Sequence, residues 1–228
     1  TISFLLWGAG IIPAAMVFRS KAVFIFSHLL FFVYLNGSFA LGDRPYIILL
    51  VLAALYLINI YFENSKACTF LCNLLAVNSI IVFLHSAETD AFYITASLLV
   101  LGLAMYLIPV KLNRDIFKFQ GLLMMGVTGL ILSYRDIWRD LPFIATGRTA
   151  SIAFSIVIVL FFLFLTRSGS LTSLLFLCAV ILRFYFDTLY DFMPKSAFFI
   201  VGGAILLGFG IYFERMRNRK EGVKIEKE

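Results

Sequence analysis

Charge is what these 228 residues have least of. Only 14% are Asp, Glu, Lys or Arg, where a soluble domain carries about a quarter. Apolar residues make up 62%, and the mean hydropathy is +0.99. No water-facing surface of ordinary composition can be assembled from that inventory, whereas a lipid solvent tolerates it. Cysteine is also scarce. Cys68, Cys72 and Cys178 each fall inside an apolar run, which argues against a secreted disulfide framework. Cys68 and Cys72 share a helix face, but a soft-metal site would need two more ligands and none is evident, so they read as buried structural thiols.

Signatures of chemistry are missing as well. There is no Gly-rich phosphate loop, no Gly-x-Ser-x-Gly elbow and no paired intramembrane aspartates of the aspartyl-protease kind. His85, Glu88 and Asp90 sit near one another in sequence, but zinc wants a tighter set such as His-Glu-x-x-His, so they read as a solvated turn. No metal or cofactor is expected.

What is present is a succession of apolar runs, each near the roughly 20 residues that a spanning helix needs. They are residues 2–18, 22–41, 45–62, 67–85, 91–109, 117–134, 149–166, 171–192 and 196–213. The fold expected is therefore all-α: a polytopic transmembrane helix bundle of about nine spanning helices, within a range of eight to ten. The sixth run is the weakest, because Gln120, Gly121, Gly126 and Gly129 interrupt it. Residues 1–213 read as one transmembrane domain, and 214–228 as a basic cytoplasmic tail. The chain starts at Thr1, so its start was processed or upstream sequence is missing. Its first run lacks a basic flank and reads as a spanning helix rather than a cleavable signal.

The net charge of +6 is concentrated at the C-terminal end, in Arg215, Arg217, Arg219, Lys220, Lys224 and Lys227. That placement suits a cytoplasmic flank near anionic headgroups and not a nucleic-acid surface. Alternate loops plus this tail hold 13 Lys and Arg, against 5 in the others. The tail is thus expected in the cytoplasm. Tyr46, Tyr61, Tyr93, Tyr106, Tyr134 and Tyr212 lie near run ends, where amphipathic rings suit the headgroup layer.

The eighth run carries the most informative residues, Arg183, Asp187 and Asp191. Steps of four put all three on one helix face, with Asp187 about 6 Å and Arg183 about 12 Å deeper than Asp191. A charge deep in a membrane helix costs at least about 2.5 kcal/mol, so such residues pair, face the bundle interior or line a wet cavity. An Arg183–Asp187 pair that locks the helix in place is the plainer reading. An outward-facing polar site that binds an anionic group through Arg183 is the functional one. Residues 135–141 read as a short interfacial helix with Trp138 at the headgroup level. A lid over Arg183 formed by Arg135, Asp136, Trp138, Arg139 and Asp140 is the alternative. His28, Asn59, Asn73 and Asn78 lie within membrane runs and read as helix–helix hydrogen-bonding residues.

From Leu174 to Arg219 the chain reads Arg183-Phe184-Tyr185-Phe186-Asp187, then Phe198-Phe199-Ile200-Val201-Gly202-Gly203, then Glu214-Arg215 and basic residues. This stretch resembles the C-terminal end of an uncharacterised bacterial membrane-protein family, the domain of unknown function 2157. It covers about a fifth of the chain. The first element is one residue longer than the family's common form, and the family's usual N-terminal soluble segment has no counterpart in these residues. The resemblance implies a bacterial inner-membrane protein, supplies no substrate, and singles out Arg183, Asp187, Gly202, Gly203, Glu214 and Arg215.

Three functions are compatible with these residues. One is binding or transport of a small solute or lipid at the Arg183, Asp187 and Asp191 face. Another is a structural or assembly role beside a membrane-protein partner or a second copy. An intramembrane enzyme acting on lipid-linked substrates, with Asp187 or Asp191 as base, ranks behind both.

Overall fold

A computed structural model describes every residue except 1, 43–44, 63–64, 109–112, 139–146, 168, 190–194 and 226–228. The side chains of 148, 188–189, 195–198 and 219–225 are likewise not described. Among the described residues there are nine α-helices, one 3-10 turn and no strand. The helices are α1 (Ile2–Val17), α2 (Lys21–Ala40), α3 (Ile47–Tyr61), α4 (Lys66–Ser86), α5 (Ala91–Leu107), α6 (Arg114–Leu132), α7 (Gly147–Arg167), α8 (Leu171–Leu189) and α9 (Lys195–Ile225). The 3-10 turn, Arg135–Trp138, follows α6. Two details go beyond the run boundaries read from hydropathy. The ninth helix continues 12 residues past Phe213, through the basic segment. The sixth forms in full despite its glycines.

The chain forms two compact units, Thr1–Gly121 and Leu122–Glu228. In the first, α2 and α4 occupy the centre. Phe24, Phe31, Tyr34 and Leu35 of α2 recur at helical spacing and are buried against Cys68, Cys72, Leu75 and Val82 of α4 and against Ile48, Leu52 and Leu55 of α3. The contacts fix direction. Phe39 meets His85 near the ends of α2 and α4, so these two run parallel. Tyr46 stacks on Phe83 at one end of α3, and Asn59 reaches Thr69 at the other, so α3 and α4 run antiparallel. Ser20 caps α2 by accepting from the Val23 amide.

Gly121 shows why glycine is required in the sixth helix. A Cβ there would lie 2.6 Å from the Gly102 carbonyl oxygen and 2.8 Å from the Tyr106 amide nitrogen, both backbone of α5. The residues that lower the hydropathy of this run are the ones by which it packs.

In the second unit α7 and α8 form an antiparallel pair joined through Gly169, whose positive φ of 84° turns the chain. Phe162 stacks on Phe176 across the pair. Gly126 of α6 accepts the Phe176 ring, which would be 2.3 Å from a Cβ at that position. Tyr185 of α8 is buried and lies 3.2 Å from where Gly202 of α9 would carry a Cβ.

Candidate functional site

The outward faces of both units are greasy. Val17, Leu50, Leu57, Val100, Phe164 and Leu207 each expose more than 60% of their surface. Contiguous apolar surface of that kind is not sustained in water. Among the described residues, five helical segments are long and apolar enough to cross a membrane, namely Lys21–Ala40, Lys66–Ser86, Arg114–Leu132, Thr149–Arg167 and Phe199–Asn218. The helices Ile2–Val17, Ile47–Tyr61 and Ala91–Leu107 are apolar but shorter.

Within the second unit, Arg183 is the centre of the most elaborate polar arrangement. Its guanidinium Nη2 donates to Asp187 Oδ2 at 2.9 Å, the i,i+4 pair expected from the spacing. Nη1 donates to Ser133 Oγ, one residue past the end of α6. The flat face of the cation lies over the Tyr134 ring, 3.7 Å from its centroid, and 5.5 Å from that of Phe184. The Arg183 side chain is only 12% exposed, whereas Asp187 is 50% exposed. The cation is therefore enclosed, and its counter-ion stands on the open side. Arg183 Nε is buried and, among the described residues, has no hydrogen-bond acceptor. A fixed guanidinium with unused donors is suited to holding a carboxylate or phosphate oxygen.

The other residues expected at this site distribute unevenly. Asp191, Arg139 and Asp140 lie outside the described residues. Arg135 and Asp136 are exposed in the 3-10 turn. Trp138 is tied to neighbouring elements. Its indole Nε1 donates to the Leu132 carbonyl at 2.6 Å, and its ring tilts against Phe154 of α7. Ser133, Tyr134 and Phe184, which complete the setting of Arg183, were not foreseen. Ser133 and Tyr134 lie about 50 residues away in sequence, and the only hint was a tyrosine at a run end.

A second polar arrangement is buried in the first unit. Tyr56 donates its hydroxyl to Asn73 Oδ1 at 2.6 Å, Asn73 Nδ2 donates to Gln120 Oε1 at 2.8 Å, and Gln120 Nε2 donates to the Phe70 carbonyl at 2.8 Å. This chain ties α3, α4 and α6. Thr69 Oγ1 accepts from both Asn59 and Asn113. His28 is fully buried. Its Nδ1 faces the Phe24 carbonyl at 2.8 Å, so Nδ1 carries the proton and Nε2 accepts from Cys72 Sγ at 3.1 Å. His28 thus makes a helix–helix bond. Asn36, two turns on, donates within its own helix, to the Phe32 carbonyl. Among the described residues no three His, Cys, Asp or Glu side chains gather as a metal set.

Together these features define a multi-pass helical membrane protein. No protein-family model matches the chain, and neither a curated protein nor a solved structure does.

Proposed function

We propose that this membrane protein binds a small acidic solute, or the acidic headgroup of a lipid, at Arg183. The observation that supports it is the buried Nε donor of Arg183, unpartnered among the described residues on a guanidinium already held by Ser133, Tyr134 and Asp187. An enclosed cation of fixed orientation loses little entropy when an anion arrives. Asp187 forms the outer rim of the site. The 3-10 turn with Arg135, Asp136 and Trp138, which directly follows Ser133 and Tyr134, forms its cover. In this reading the basic C-terminal part of α9 lies in the cytoplasm and the Arg183 site opens toward the opposite side. The resemblance of the last quarter to an uncharacterised bacterial family supports the bacterial inner membrane as its place.

The test is titration of purified protein in detergent with inorganic phosphate and with a short-chain acidic phospholipid, followed by calorimetry. Binding that vanishes in Arg183→Met, with unfolding temperature nearly unchanged, is the expected result. Equal binding by both proteins, or none by either, would sink the proposal. A C-terminal reporter that is active only outside the cytoplasm would overturn the orientation.

A second reading, an assembly role beside another membrane protein or a second copy, is supported by α9. None of its Phe199–Asn218 span is buried. Cross-linking from Leu207 in native membranes tests that reading, and exclusively lipid-facing behaviour would count against it.

A further inference from the structure

An apolar groove of about 320 Å³ is lined by Ile152, Ser155, Ile156, Val159 and Leu160 of α7 and by Phe184, the residue after Arg183. It runs along α7 for nine residues, about 12 Å by helical rise. Ser155, its one polar lining residue, donates to the Ser151 carbonyl, so its hydroxyl hydrogen is already used within α7. Because α7 and α8 are antiparallel about Gly169, the groove spans the membrane level that contains Arg183. Phe184 belongs to both places. Its ring lies 5.5 Å from the guanidinium carbon and also forms one wall of the groove.

We infer that the ligand of the Arg183 site is a phospholipid with an acidic headgroup, whose phosphate sits at the guanidinium and one of whose acyl chains lies in the α7–α8 groove. The inference rests on the anion-binding reading of Arg183 and narrows it. Two features select a lipid over a soluble anion. The Phe184 ring flanks both the cation and the groove, so the two lie within reach of one molecule with a charged end and an apolar end. Its rim residues Ile152, Ile156 and Leu160 are exposed at 43%, 56% and 59%, so the groove is open along its side to the hydrocarbon, and a chain enters laterally without crossing water. A soluble anion would leave this groove unused. Since the chain is already out of water in the bilayer, the groove contributes close packing rather than hydrophobic transfer, and selectivity resides in the headgroup.

The experiment has three arms. Protein in mixed dioleoyl-phosphatidylglycerol and dioleoyl-phosphatidylcholine nanodiscs is released and its retained lipids counted by native mass spectrometry. Inorganic phosphate binding is measured separately in detergent. Wild type is expected to retain one phosphatidylglycerol, preferred over phosphatidylcholine by about tenfold, because the choline cation of the latter offsets the phosphate charge that Arg183 would hold. Arg183→Met should abolish both that preference and phosphate binding. Ile156→Trp, which fills the groove from an exposed rim position, should abolish retention and leave phosphate binding intact. Ile152→Trp serves the same purpose if the first variant misfolds. Phosphate binding that needs Arg183, with lipid retention absent or indifferent to both tryptophans, overturns the lipid assignment and leaves the anion site standing. Loss of Arg183 dependence in every arm overturns both.

Discussion

The guanidinium carbon of Arg183 sits 3.7 Å from the centre of the Tyr134 ring, so a cation on α8 rests on an aromatic face just beyond the end of α6. Tyr134 is half exposed, which places the contact between the exposed and desolvated limits of cation–π strength. Tyr134→Phe should keep the stability of the protein, and Tyr134→Leu should lose about 1 kcal/mol. Thermal unfolding in detergent measures both. Equal losses would show that the hydroxyl, not the ring face, is what matters.

The two hydrogen-bond partners of Arg183 should differ in weight. Asp187 is half exposed, so water screens its pair, and Asp187→Asn should cost under about 1 kcal/mol. Ser133 is buried, and Ser133→Ala deprives an enclosed donor of its acceptor, costing about 1–3 kcal/mol. A larger loss at Asp187 than at Ser133 would contradict this ordering.

The pair itself was legible in the sequence, because four-residue spacing on a helix is a local rule. Its setting was not. Ser133 and Tyr134 reach Arg183 only through tertiary packing, and no local pattern links residues so far apart. The helix positions were legible for a related reason. Lipid demands an uninterrupted apolar stretch, so hydropathy located α1 to α5 to within about two residues. It could not mark the end of α9, because hydropathy reports the solvent and not the backbone. Glu214, Arg215, Met216 and Arg217 are good helix formers whatever surrounds them.

Glycines of equal sequence prominence should respond oppositely to alanine. Gly121→Ala forces a Cβ against α5 backbone that cannot swing aside, and should cost about 2 kcal/mol or more. Gly203→Ala and Gly208→Ala meet nothing within 4 Å and should be neutral or stabilising by about 0.5–1 kcal/mol through helix propensity. Melting curves of the three variants decide this, and destabilisation at Gly203 would reveal a neighbour.

Asparagines within α4 should also separate. Asn73→Leu removes partners from both Tyr56 and Gln120 and should cost about 1–3 kcal/mol. Asn78 Nδ2 is buried with no partner among the described residues, so Asn78→Leu should be neutral or stabilising. Side-by-side unfolding of these variants is the measurement, and similar losses would refute the contrast.

Thiol chemistry offers an independent check on packing. Cys68 and Cys72 have no exposed surface, and Cys72 is engaged by His28, while Cys178 is partly exposed. N-ethylmaleimide should label Cys178 first in the folded protein and all three after denaturation, as read by mass spectrometry. Early labelling of Cys72 would show that α2 and α4 open readily.

The length of α3 has a consequence for the surrounding lipid. Its 15 residues rise about 22 Å, and α1, with 16, about 24 Å, against a hydrocarbon thickness of about 30 Å. Acyl chains beside these helices must compress or tilt to keep their contact with apolar side chains. Both short helices belong to the first unit, so the strain on the surrounding lipid is a property of that unit. Membranes of short-chain lipid would relieve the mismatch.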